Sequence, residues 1–160
     1  MTDKDFFTKT IEDEIPRFER VFKAIPESNR DYKPDPKSKT AVEIAMTIAG
    51  EASTFIVFLK TGVIDMAQVA GKVPNLEEAI KVFSTSMEEA KNYSSSMSIE
   101  EWGSKAEMLS SGHKEWETTR GAMALSLLLD IIHHRGQISS YLRAMGGTVP
   151  SIYGPSADSK

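Results

Sequence analysis

Two of the three histidines in this chain stand side by side in the run Asp130-Ile131-Ile132-His133-His134-Arg135-Gly136-Gln137. The run lies in a hydrophobic segment from about Thr119 to Met145, patterned as a helix. At about 100° per residue, His134 falls among Leu127, Ile131, Ile138 and Tyr141, inside the apolar arc. Asp130 lies at the edge of that arc, and His133 points away, beside Ser126, Gln137 and Ser140. An Asp and a His four residues apart are neighbours on one helix face, and both are common metal ligands, so one ion could meet Asp130 and His134 together. The plainer reading is a core histidine whose ring nitrogen is satisfied by Asp130.

A second carboxylate raises the same question. Ile44, Ile48, Phe55, Phe58 and Leu59 line one side of a helix that starts near Thr40 and ends at Gly62. Glu51 falls inside that arc, with Thr47 beside it. The positions one turn away hold Thr47, Ile48, Thr54 and Phe55, so no basic residue of the same helix neutralises Glu51. A carboxylate on a core face is costly unless it is paired or liganded. Glu51 therefore either holds something or sits at the margin, reaching solvent or a basic residue on another helix.

Four segments must position these groups. Phe7, Ile11, Ile15, Phe18, Phe22 and Ile25 recur at three- and four-residue steps, one face of a helix from about Lys4 to Ile25. Pro16 inside it predicts a kink near Glu12 to Glu14, or a break. Pro26, Pro34 and Pro36 mark an extended connection. Thr40 with Glu43 makes a capping box for the second helix. Asn75 with Glu78 caps a third, carried by Leu76, Ile80, Phe83, Met87 and Ala90 to about Ser94. Ser98 to Thr118 is polar, holds Trp102 and Trp116, and fits either a long functional loop or a short hairpin. The fourth helix stops at Gly146-Gly147, and the tail from Thr148 should be extended, packing through Val149, Ile152 and Tyr153. With no good strand pattern, the expectation is an all-α four-helix bundle, one domain over residues 1–160, with long crossover loops.

Composition narrows the function. The net charge is −4 and no Lys/Arg block stands out, against a nucleic-acid surface. There is no Cys, which excludes disulfides, thiolate zinc sites and a cysteine nucleophile. No signal pattern opens the chain and no membrane span is expected, so a cytoplasmic protein is the default. P-loop, dinucleotide-binding, zincin and nucleophile-elbow motifs are absent, and Asp130-x-x-His133 has no partner motif for a di-iron site.

The string from Asp130 to Asp158, DIIHHRGQISSYLRAMGGTVPSIYGPSAD, resembles the C-terminal signature of the DinB-like superfamily, the DNA-damage-inducible and bacillithiol-transferase-like four-helix bundles. FKAIPESNRDYKPDPKSKTAVEIAMTIAGEAS is similar to that family's first loop and second helix, and the two matches together span roughly Ile15 to Lys60 and Thr119 to Asp158. The resemblance implies a divalent metal held by three histidines, one from helix two and two from helix four. His134 matches the position before Arg-Gly-Gln, Asp130 stands at the other helix-four position, and Thr47 stands at the helix-two position. Asp130 is a tolerable oxygen ligand, Thr47 is not a strong one, and Glu51 one turn later can substitute. Such a site is harder than three histidines, suiting zinc less and manganese, iron or magnesium more; zinc and nickel remain in the range to test.

The resemblance further implies a homodimer and an enzyme that activates a low-molecular-weight thiol or a water, acting as an S-transferase or hydrolase on a small-molecule substrate. Arg135, Gln137 and Tyr141 are then the candidates to support the ligands or face substrate, at a mouth lined by the Ser98–Thr118 segment and the tail near Tyr153. The competing reading is a metal-free binding or dimerisation module, favoured by Thr47.

Overall fold

A computed structural model describes residues 1–68 and 73–159. Its frame is four long helices: α1 (Asp3–Lys23), α2 (Ala41–Thr61), α3 (Leu76–Ser96) and α5 (Arg120–Tyr141). A single turn, α4 (Ile99–Trp102), precedes the last two strands of a small sheet. Each long helix starts on a side-chain cap: Thr2 with Asp5 and Thr40 with Glu43 form capping boxes, and Asn75 and Thr119 accept from Glu78 N and Ala122 N. Gly62 stops α2 in the left-handed conformation at φ 75°, donating to the Phe58 carbonyl. α5 ends four residues short of the expected Met145, and a run of turns leads to Gly146 at φ 85°.

Pro16 does not break α1, which runs without interruption. Pro16 and Glu12 are both on the exposed face, where water can satisfy the Glu12 carbonyl that loses its donor.

α1 packs on α3 and α5, and α2 packs on α3 and α5. Between them lies one cluster of buried side chains, including Phe18, Phe22, Phe58, Phe83, Ile48, Leu128 and Ile138. Phe18 packs on Phe83 with tilted rings at 4.6 Å and Phe22 meets Phe83 edge-on at 5.4 Å, so aromatic contacts tie α1 to α3. α2 is the most apolar helix: by length and composition it could cross a membrane, at a mean hydropathy of 1.6, yet 56% of that window is buried inside the protein.

The expectation of an all-α chain is corrected by a three-stranded sheet. β1 (Val63–Asp65) pairs parallel with β2 (Lys105–Ser110), which pairs antiparallel with β3 (His113–Thr119). The hairpin alternative for the Ser98–Thr118 segment therefore holds. Its two-residue turn, Ser111-Gly112, has positive φ at both positions, the twist that favours a tight hairpin. Asp65 fastens the turn, its carboxylate accepting from the Ser111 and Gly112 amides at 3.1 Å. These strands escaped the sequence reading because they are short and largely polar on both faces; in β2 only Ala106 is fully buried. Trp102 of α4 is buried against Phe7 and donates to Asp3 across 3.0 Å.

Candidate metal centre

α2 and α5 are packing neighbours, and their contact brings Glu51, Asp130 and His134 together. One ligand atom from each lies within 4.8 Å of the others. His134 Nε2 is 3.5 Å from Glu51 Oε1 and 4.0 Å from Asp130 Oδ2. The i,i+4 spacing on α5 aligns the two helix-five groups, and the apolar face of α2 turns Glu51 inward between Ile48 and Phe55.

The ring of His134 is oriented from behind. Its Nδ1 is 3.0 Å from Gln137 Oε1, and Gln137 Nε2 is 3.2 Å from His133 Nε2. Nδ1–H thus donates to the amide oxygen, which leaves the Nε2 lone pair facing the two carboxylates. That is the tautomer a metal ligand needs, held by the kind of partner that tunes such ligands. His133 is exposed and faces away from the cluster, as the helical register predicts.

Glu51 is the electrostatic anomaly. Burial pushes its carboxyl up to about 7, the neighbouring His134 opposes that, Asp130 adds to it, and Lys39 opposes it. Its Oε2 is buried and has no hydrogen-bond partner among the described residues. An orphaned carboxylate oxygen beside an aligned imidazole and a second carboxylate fits a divalent cation, and one nitrogen with two oxygens is a donor set for manganese, iron, zinc or nickel.

Thr47 does not join the cluster. Its hydroxyl donates to the Glu43 carbonyl at 2.9 Å and accepts from Lys39 Nζ at 2.9 Å. Tyr141 and Gln137 line an open, polar cleft on one side of His134, with Ser38, Lys39 and Ile44. On the other side Phe55, Ile64, Met66, Leu127 and Ile131 form an apolar crevice that reaches Glu51 and Asp130.

Arg135 is turned the other way. It is 2% exposed, ion-paired with buried Glu14 of α1, stacked over Phe18 at 4.7 Å, and donates to the Tyr153 hydroxyl at 2.7 Å. Its guanidinium is consumed in joining α1, α5 and the tail, so the expectation that it faces substrate is corrected. Tyr153 lies in the same place, between Arg135 and Arg17, so it does not line the clefts beside the cluster. Outside α2 and α5, the crevice wall comes from β1 and the residue after it rather than from the Ser98–Thr118 segment. Val149 and Ile152 pack on the core as expected of the tail.

Two residues escaped the sequence reading. Glu14 carried a legible signal: it sits on the arc of Ile11, Ile15 and Phe18, the same anomaly that drew attention to Glu51. Lys39 carried none, since it precedes the Thr40 cap in a segment that reads only as a connection.

With this geometry in hand, comparison with known proteins gives a consistent answer. The DinB family profile matches residues 2–159. The chain belongs to the DinB family. The fold is similar to that of a DinB-like protein, YjoA, from Bacillus subtilis, with a TM-score of 0.70 at 18% identity over 93% of this chain and 99% of that one. No curated protein sequence matches.

Proposed function

We propose that this DinB family member is a divalent-metal-dependent enzyme whose metal is held by Glu51, Asp130 and His134. The observation that carries the reading is the convergence of an orphaned Glu51 oxygen with the free Nε2 face of His134 and the Asp130 carboxylate. What a divalent ion supplies in such a place is acidification of a thiol or water brought to it. The protein's part is to present Nε2 through the Gln137 hydrogen bond, and to shield the cluster on one side with Phe55, Leu127 and Ile131. With no Cys in the chain, the thiol of a transferase reaction comes from a small-molecule substrate; hydrolysis with water is the other branch. The four long helices are read as a crossover bundle, since α1 and α2, consecutive in sequence, are not strong packing neighbours among the described residues. A homodimer through exposed Val57, Leu125 and Leu129 completes the reading, and a monomer mass in light scattering at high protein concentration would remove that part.

Elemental analysis and thermal melts test the centre. A metal that binds only the folded state must raise the melting temperature. His134→Ala should lower affinity by about 100-fold or more, Gln137→Ala by about 10-fold through loss of ring orientation, and His133→Ala hardly at all. A second nitrogen, offered as a fourth ligand by Thr47→His, should tighten binding. If no divalent ion shifts the wild-type melt, the metal-free module is the better reading. The feature that favours that module is Thr47, whose hydroxyl is already committed to Glu43 and Lys39.

A further inference from the structure

The polar cleft beside His134 is lined with donors that lack acceptors. Lys39 forms no ion pair among the described residues, and the Thr47 hydroxyl is its one hydrogen-bond partner, at 2.9 Å. Of the acids around it, Glu43 is taken by the Thr40 amide and by Lys33, and Glu51 feels the Lys39 charge without pairing with it. The hydroxyls of Ser38 and Tyr141 make no hydrogen bond within the described protein, and both face the same cleft. The amide of Gln137 is spent on holding His134 and His133. A lysine ammonium is a compact charge with three protons to donate, and here two of the three have no protein acceptor.

The charge balance points the same way. Glu51 and Asp130 carry two negative charges when ionised, which a divalent ion cancels. Lys39 is then the uncancelled charge at the edge of the site, its ammonium on the Thr47 hydroxyl. Lys39 is exposed, and a cation with spare donors, two hydroxyls without protein partners and an open cleft suit an acceptor-rich ligand rather than an apolar one. The crevice on the far side of the cluster is apolar, so the two sides differ in what they can receive.

We propose that the Ser38–Lys39–Tyr141 cleft is an anion subsite, in which Lys39 anchors the carboxylate or phosphate group of a small substrate while its reacting end reaches the Glu51–Asp130–His134 centre. This rests on the metal reading, because without the ion the two carboxylates repel an anion. Lys39 is a positioning residue for substrate and holds no part of the metal.

The test uses the full chain loaded with Mn²⁺ and titrated calorimetrically with butyrate, butyl phosphate and the uncharged butyramide. Wild type should bind at least one of the anions about 10-fold or more tightly than butyramide. Whichever of the two anions binds better identifies the headgroup. Lys39→Met, which keeps the stem and removes the charge, should weaken that anion by about 10-fold, and Lys39→Arg should restore most of it. Mn²⁺ should still bind all three proteins. If Mn²⁺ binds but the anion titrations are indifferent to Lys39→Met, the anion subsite is wrong and the metal centre stands. The same conclusion follows if butyramide binds as well as butyrate and butyl phosphate. If Mn²⁺ does not bind and the other divalent ions fail too, both readings fall together.

Discussion

Replacing Glu51 by Gln separates two roles that the same carboxylate would play with and without metal. Without metal, the side chain is 19% exposed and its carboxyl is pushed from 4.5 up to about 7, burial being the largest cause. A carboxyl whose folded value is raised favours folding while protonated. Its contribution is complete below the unfolded value and is lost as the pH rises through about 7. The rise from 4.5 to about 7 is worth about 3 kcal/mol, at roughly 1.4 kcal/mol for each pH unit. Gln keeps the shape and cannot ionise, so in excess chelator Glu51→Gln should gain over wild type as the pH is raised from 5 to 8.5. The gap should grow by about 2 to 3 kcal/mol, or roughly 5 to 10 °C in melting temperature for a chain of this size. Urea unfolding at the two pH values, followed by circular dichroism, measures it. With saturating Mn²⁺ the order should reverse, since wild type gains the binding energy and Glu51→Gln loses a ligand. A wild-type-to-variant gap that is the same at pH 5 and pH 8.5 in chelator would refute the claim that Glu51 is a strained buried charge.

Two further substitutions test the frame around the centre. A Cβ on Gly121 would come within 2.4 Å of the Trp102 ring, so Gly121→Ala should cost about 3 kcal/mol in urea unfolding unless the tryptophan can move. Glu14→Gln should cost about 3 kcal/mol or more by leaving the Arg135 guanidinium buried beside a neutral group, and Glu14→Leu with Arg135→Met should recover most of it; a single-variant loss below about 1 kcal/mol would show the pair to be dispensable.

How far the sequence reveals this protein depends on how local each signal is. The helix faces were legible because three- and four-residue spacing reports burial directly, and the Thr40–Glu43 and Asn75–Glu78 pairs mark starts through contacts only three residues long. The Asp130–His134 alignment was legible for the same reason, and Glu51 stood out as a charge among apolar neighbours. The sheet was not: Lys105, Glu107, Lys114 and Glu117 form a charged surface across β2 and β3, so the strands lack the apolar alternation that marks a half-buried sheet. Nor was the direction of Arg135, which is decided by Glu14, 121 residues away. Lys39 becomes informative only once its ammonium is seen against Thr47 with no acid paired to it among the described residues.

The parallel pairing of β1 with β2 has a kinetic consequence. Val63 lies opposite Glu107, with α3 and α4 in the intervening chain. The pairing therefore cannot nucleate from a local turn, as the β2–β3 hairpin can; it waits until α3 has docked and returned the chain to the end of α2. The crevice beside Glu51 includes Ile64 of β1, so that wall of the candidate metal centre should be completed by one of the last contacts to form. It should also be among the first to open when the protein breathes, which places ligand access and local unfolding on the same small piece of sheet.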